Sequence, residues 1–122
     1  MRFALLATFV LLALSACQPH EGMPTQSTAL PQPTVSLVTT LVRRDLVRLV
    51  WSVRDGEGRR FEIQRQNRDE PWKHFATVVP VDGLIRIEDT GVVPGQRYQY
   101  RLRLSGSKGD ASLDVVQVAV PL

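Results

Sequence analysis

The clearest pattern in the chain is an alternation of polar and apolar residues that runs from Arg97 to Leu104. The apolar residues of this segment are Tyr98, Tyr100, Leu102 and Leu104. The polar residues are Arg97, Gln99, Arg101 and Arg103. Alternation with a period of two residues is typical of a β-strand that is buried on one face only. The segment is therefore predicted to be a central strand of a small antiparallel β domain.

Six further segments carry a strand signal. The predicted strands cover residues 34–39, 46–53, 61–66, 72–79, 84–87, 97–104 and 111–120. Turn residues separate them, as in the Asp82-Gly83 pair, which is typical of a tight hairpin. Residues 34–39 alternate weakly and predict an edge strand. Seven short strands, without helical periodicity after residue 33, predict an all-β fold in the form of a seven-stranded antiparallel sandwich.

The order of these elements resembles a fibronectin type III module of the bacterial kind over residues 34–120. The resemblance rests on Trp51 in the second strand, on the segments Asp-Thr-Gly and Pro-Gly within residues 89–95, and on the Tyr-x-Tyr-x-Leu series that begins at Tyr98. It departs from the family in a short connection between the second and third strands and in a first strand without the usual prolines. The resemblance implies an immunoglobulin-like sandwich with Trp51 in its core. It also implies a tyrosine corner, in which the Tyr98 hydroxyl lies near the backbone around Val92.

Residues 1–16 are typical of a secretory signal peptide. Arg2 is followed by an apolar run that is too short to span a bilayer comfortably, and the run ends in small residues. The four residues 14–17, Leu-Ser-Ala-Cys, resemble a bacterial lipobox. This resemblance implies diacylglycerol on the sulfur of Cys17, cleavage just before Cys17, and an acyl chain on the new amino terminus. The alternative is a signal peptide without a lipid.

Residues 17–33 are predicted to form the lipidated cysteine and a flexible tether. The segment contains four prolines and has no periodic apolar face, so it is not expected to bury enough surface to fold. Fully extended, it would span about 50 Å. An aspartate directly after the cysteine would resemble an inner-membrane retention signal. The residue after Cys17 is Gln18 instead. The predicted location is therefore the periplasmic face of the bacterial outer membrane, with attachment to the membrane by the lipid anchor.

Composition narrows the range of functions. The formal net charge is +3, and the arginines are dispersed among acidic residues, so nucleic-acid binding is not expected. The sole cysteine excludes an internal disulfide. His74 is the one histidine beyond the tether, and Glu88 and Asp89 are predicted to point to opposite faces of a strand. No nucleophile is therefore paired with a base, and the domain is predicted to be non-catalytic, without a cofactor other than the lipid on Cys17.

Two sets of residues are candidates for binding a partner. The first set is the polar row Arg97, Arg101 and Arg103, which is expected to lie beside Glu62 on the third strand. This row either forms cross-strand charge pairs that keep the sheet soluble, or docks an acidic or polar partner. The second set is Lys108 and Asp110 in a glycine-rich loop, where charge alone would also serve solubility.

These patterns together predict an outer-membrane lipoprotein that presents a non-catalytic binding or scaffolding module to another envelope protein. The alternative is ligand capture, in which the loops at the end of the sandwich grip a glycan or an enzyme. The surface that contacts the partner distinguishes the two functions: the sheet face for scaffolding, and the end loops for ligand capture.

Overall fold

The computed structural model describes residues 31–109 and 111–122, which fold into seven antiparallel strands. The strands are β1 (Thr34–Arg43), β2 (Leu46–Arg54), β3 (Phe61–Asn67), β4 (Lys73–Val78), β5 (Leu84–Asp89), β6 (Arg97–Leu104) and β7 (Asp114–Ala119). They form a three-stranded sheet of order β1-β2-β5 and a four-stranded sheet of order β4-β3-β6-β7. The prediction of an all-β, seven-stranded antiparallel sandwich is therefore confirmed. The predicted signal peptide, Cys17, the predicted tether as far as residue 30, and Asp110 lie outside the described residues.

The core lies between the two sheets and is built from the alternate residues of the inner strands. Its largest fully buried side chains are Trp51 of β2, Phe61 of β3 and Tyr100 of β6. The indole N–H of Trp51 donates to the Asp114 carboxylate over 2.9 Å, so the three-stranded sheet is joined to β7 of the other sheet. A buried indole without a partner would be costly, and Asp114 removes that cost.

Two strand boundaries differ from the prediction. β1 continues to Arg43, beyond the predicted end at residue 39, because a β-bulge between Leu37 and Thr39 shifts the alternation by one residue. β7 begins at Asp114 and not at residue 111. The preceding loop contains Gly106 and Gly109 with φ values of 83° and 69°, a conformation that interrupts a strand. β1 lies at the edge of its sheet, as predicted.

The sandwich has two distinct ends. The pairing of Thr34 with Arg54, and of Phe61 with Leu104, places the start of β1 beside the loops 55–60, 79–83 and 105–113. The Arg59 guanidinium also donates to the carbonyl of Pro31 over 3.0 Å at this end. We call it the entry end. The opposite end carries the turns 44–45, 68–72 and 90–96 together with the carboxyl terminus, and we call it the far end.

The tyrosine corner lies at the far end. The hydroxyl of Tyr98, a residue that is only 3% exposed, accepts a hydrogen bond of 2.8 Å from the backbone N–H of Val93. The contact is one residue from the position expected around Val92. It fixes the segment between β5 and β6 against the start of β6.

We expect Tyr98→Phe to lower the free energy of unfolding by about 1–3 kcal/mol, because the Val93 N–H loses its partner inside the corner. Chemical unfolding of the two proteins side by side measures this difference. An unchanged midpoint would show that the hydroxyl contributes nothing to the corner.

Candidate functional site

The outer surface of the four-stranded sheet collects polar side chains from all four of its strands. The strand register sets Gln117 beside Gln99, Gln99 beside Gln66, Arg101 beside Gln64, and Gln64 beside His74. We call this surface the polar sheet face. Its members are Glu62, Gln64, Gln66, Trp72, His74, Arg97, Gln99, Arg101, Arg103 and Gln117.

Arg101 lies at the middle of the polar sheet face beneath the ring of Trp72. Its guanidinium carbon is 4.5 Å from the centroid of that ring, and its Nε donates to Oε1 of Gln64. Arg101 is consequently only 7% exposed. A guanidinium over an indole ring is a favourable cation–π arrangement, especially where water is partly excluded. The Trp72–Arg101–Gln64 stack is therefore fixed before any partner arrives.

Arg103 is also covered, with 6% of its surface exposed. Its guanidinium donates to the carbonyl of Ser107 over 2.6 Å and to Gln64 over 3.4 Å. The row of arginines predicted from the sequence does point away from the core, and two of its members, Arg101 and Arg103, are buried on that outer surface. Trp72 and the loop after β6 cover them, which alternation along one strand does not reveal.

The Glu62 carboxylate contacts a histidine on the neighbouring strand and not Arg103. Glu62 is directly opposite Arg103 in the strand register, yet its carboxylate contacts Nδ1 of His74 at 2.9 Å. Arg103 contacts amide and carbonyl oxygens instead. Hydrogen bonds to neutral oxygens leave the positive charge of Arg103 uncompensated by those partners.

The remaining predicted residues are split between the two ends of the domain. Arg97 is exposed at the far end, whereas Lys108 is exposed on the loop at the entry end. Asp110 lies outside the described residues. The structure thus brings Arg97, Arg101, Arg103 and Glu62 onto one surface and sets Lys108 apart.

A buried cluster around Asp89 was not predicted. Asp89 is 2% exposed, and its Oδ2 accepts hydrogen bonds from Arg65 Nη1 at 2.7 Å and from the Tyr100 hydroxyl at 2.6 Å. Its Oδ1 accepts from the backbone N–H of Gly91 at 2.9 Å, and this bond caps the turn that follows β5. Arg65 shares the inward positions of β3 with Phe61 and Ile63, and that alternation was the available signal.

The cluster keeps the phenol of Tyr100 protonated. Burial, followed by the hydrogen bond and the negative charge of Asp89, raises the pKa of Tyr100 well above its usual range. Burial lowers the pKa of Arg65, but the hydrogen bond and charge of Asp89 outweigh that effect and raise it. The cluster is therefore an ion pair with one phenol donor, which stabilises the fold and presents no proton for exchange near neutral pH.

Tyr100 makes stability depend on alkaline pH. Its unfolded pKa is about 10 and its folded pKa is higher, so its contribution is complete below pH 10 and declines as the pH rises above that value. In that window the unfolded chain loses a proton that the folded chain keeps, and stability falls by up to about 1.4 kcal/mol per pH unit. We expect Tyr100→Phe to remove this part of the slope. Urea unfolding at pH 9–12 measures it, and identical slopes would contradict the assignment.

Within residues 31–109 and 111–122, no group of three histidine, cysteine or acidic side chains is placed to hold a metal ion. The same ranges include no helix long and apolar enough to cross a membrane. At the entry end, the loops that contain Arg54, Gly56 and Gly83 enclose a groove of about 610 Å³.

No known protein family matches the sequence, and no curated protein matches it. Among solved structures, the chain is similar to the sensor domain of the anti-sigma factor RsgI4 from Pseudobacteroides cellulosolvens, determined in solution. The two share 11% sequence identity, the match covers 74% of this chain and 76% of that chain, and the TM-score is 0.60. At this identity the similarity shows a shared fold.

Proposed function

We propose that the protein is a lipoprotein of the bacterial outer membrane that presents a non-catalytic, fibronectin type III-like binding module to the periplasm. Cys17 would carry the lipid, and a protein partner in the envelope would contact the polar sheet face. The observation that carries this proposal is the fixed Trp72–Arg101–Gln64 stack at the centre of that face.

The composition of the face supports binding of a protein. Tryptophan and arginine are the residue types that most often dominate the energy of protein interfaces. Long side chains lose conformational entropy when a partner immobilises them, and hydrogen bonds already restrain Arg101 and Arg103. Around them, Gln99 and Gln117 offer both donors and acceptors. A partner that meets this surface therefore gains contacts at a reduced entropic cost.

The tyrosine corner supports the fibronectin type III-like part of the proposal. A tyrosine near the start of the strand after the corner, with its hydroxyl bonded back to the preceding backbone, is a hallmark of immunoglobulin-like sandwiches. Tyr98 and Val93 have this geometry. Domains of this architecture commonly serve in recognition, but fold alone does not establish function, so the argument for binding rests on the face itself.

Photo-crosslinking in living cells tests the proposal. A photoreactive amino acid would replace the exposed residues His74 and Gln117 on the polar sheet face, with Arg86 on the outer surface of the other sheet as the matched control. We expect a protein adduct from both face positions and none from position 86. Equal adducts at all three positions, or none at the face, would contradict the proposed role of this surface.

The groove at the entry end favours a second candidate function, capture of a glycan or an enzyme by the loops. It is lined by Asp55, Glu57 and Asp82 among others, and its volume of about 610 Å³ is sufficient for a small ligand. A photoreactive group at Glu57 in the same experiment distinguishes the two candidates. An adduct from position 57 alone would favour capture by the loops.

A further inference from the structure

A second groove lies on the polar sheet face at the far end of the domain. Its volume is about 420 Å³, and it is bounded by Arg68, Arg97, Gln99, Gln117 and Ala119, with the core residues Tyr98 and Val118 also in its lining. Arg97 is directly opposite Ala119 in the strand register. Because alanine has a small side chain, the floor of the groove beside Arg97 stays open.

Both arginines of this groove are exposed, and neither guanidinium has a hydrogen bond or an ion pair within the described part of the chain. Other cations nearby do have acidic partners, as Arg65 has Asp89 and Lys73 has Glu70. Two unpaired guanidinium groups beside one cavity create a local positive potential. A carboxylate is the natural complement, since each guanidinium can bind it through two parallel hydrogen bonds.

The backbone of Arg68 adds an independent observation. Arg68 has a φ of 45°, which is a left-handed conformation that favours glycine or asparagine. It lies in a tight turn in which the N–H of Glu70 donates to the carbonyl of Asn67 over 3.0 Å. An arginine at this place is less favourable for folding than a glycine would be. Strained positions of this kind cluster at functional sites, where the side chain is needed.

We propose that the groove between Arg68 and Arg97 binds a carboxylate side chain of an acidic, extended peptide segment of the partner. This inference rests on the proposed function and names the chemistry of the partner. The amides of Gln99 and Gln117 match the donors and acceptors of a peptide backbone. The exposed Ala119 adds a small apolar contact beside them.

A peptide fits the groove better than an acidic glycan does. Stacking on a sugar ring requires the exposed face of an aromatic ring, and the aromatic residue at this groove, Tyr98, is only 3% exposed. The contacts that the groove offers are the guanidinium groups of its two arginines and the side-chain amides of its two glutamines. They suit a carboxylate next to a peptide backbone, whereas the sugar rings of an acidic glycan would find no exposed aromatic face for stacking.

Fluorescence anisotropy with the full chain in detergent tests the inference. The probe is a labelled pool of octapeptides with glutamate at the two central positions, and the matched probe has glutamine there. We expect the acidic pool to bind at least tenfold more tightly than the glutamine pool in 50 mM salt, and to weaken in 300 mM salt. Equal binding of the two pools would overturn the inference, as would tighter binding of a labelled polyuronate than of the acidic peptides.

Three variants make the assignment specific. Arg68→Gly and Arg97→Gln are each expected to weaken binding of the acidic pool at least tenfold, whereas Arg44→Gln, which removes an exposed positive charge from the turn between β1 and β2, is expected to leave it unchanged. Arg68→Gly relieves the left-handed backbone, so its melting temperature should be equal to or above that of the parent. Loss of binding in a protein that is equally stable cannot be attributed to unfolding. If Arg44→Gln weakened binding as much as the groove variants did, the groove would not be the site.

The inference and the proposed function fail in different ways. If the polar sheet face crosslinks to a partner in cells but the acidic peptides do not bind, the carboxylate assignment is wrong and the binding role stands. If neither His74 nor Gln117 gives an adduct, the face is not the contact surface and both are wrong.

Discussion

Asp89→Ala is expected to lower the free energy of unfolding by about 3–5 kcal/mol, because it removes the acceptor of a buried charge network. The change leaves the Arg65 guanidinium, the Tyr100 hydroxyl and the Gly91 N–H without their common partner. A domain of this size has a total stability of roughly 5–10 kcal/mol. The variant should therefore be close to unfolded at body temperature, and chemical unfolding followed by tryptophan fluorescence measures the loss.

The adjacent acidic residue provides the matched control. Glu88 is on the outer surface of β5, where it pairs with Arg48 at 2.7 Å in an exposed contact. Exposed pairs contribute little, so Glu88→Ala should change stability by less than about 1 kcal/mol. Asp89→Asn keeps the shape of the side chain and removes its charge, and we expect a loss between those of the two alanine variants. Equal losses for Asp89→Ala and Glu88→Ala would show that the buried network contributes nothing special.

Cys17→Ser is expected to abolish membrane attachment altogether. Only a thiol can form the thioether with diacylglycerol, and each buried methylene of an acyl chain contributes about 0.8 kcal/mol to anchoring, so several chains hold a domain firmly. Labelled palmitate should enter the parent chain and not the variant, and the variant should move from the membrane fraction to the soluble fraction or stay unprocessed.

A second variant tests whether the position of the cysteine matters. Combining Cys17→Ser with Ser27→Cys restores a thiol to the chain but places it outside the lipobox-like segment. We expect no recovery of labelling. Incorporation of palmitate into this double variant, or undiminished incorporation into Cys17→Ser, would contradict the lipoprotein assignment.

The strand pattern of the sequence was sufficient for the fold because β6 alternates over its whole length, and β2 and β3 alternate over much of theirs. Tyr98, Tyr100 and Leu102 are all buried as the alternation of β6 predicted, and Trp51 is buried on β2. The pattern failed at β1, where the bulge at Leu37 reverses which residues point outward. A single extra residue in one strand changes the face of everything after it, and no local composition marks its position.

The candidate site was harder to predict, because its geometry depends on contacts between strands that are distant in sequence. Arg101 is covered by Trp72, which lies in the turn before β4 and is separated from β6 by the intervening strand β3. The sequence did not predict Arg68 as a site residue, because a residue in a turn gives no periodic signal. The strand pattern predicted which side of the sheet the arginines of β6 occupy, but their burial depends on the three-dimensional packing.

The positions of the start of β1 and of Leu122 have a practical consequence for handling the protein. β1 begins at the entry end, while the Arg68–Arg97 groove and the exposed carboxyl terminus at Leu122 lie together at the far end. A sensor chip or bead coupled through the amino-terminal segment therefore leaves the groove facing the solution. An affinity tag fused after Leu122 would begin only a few residues from Ala119 on the groove wall, and it would compete with any ligand measured there.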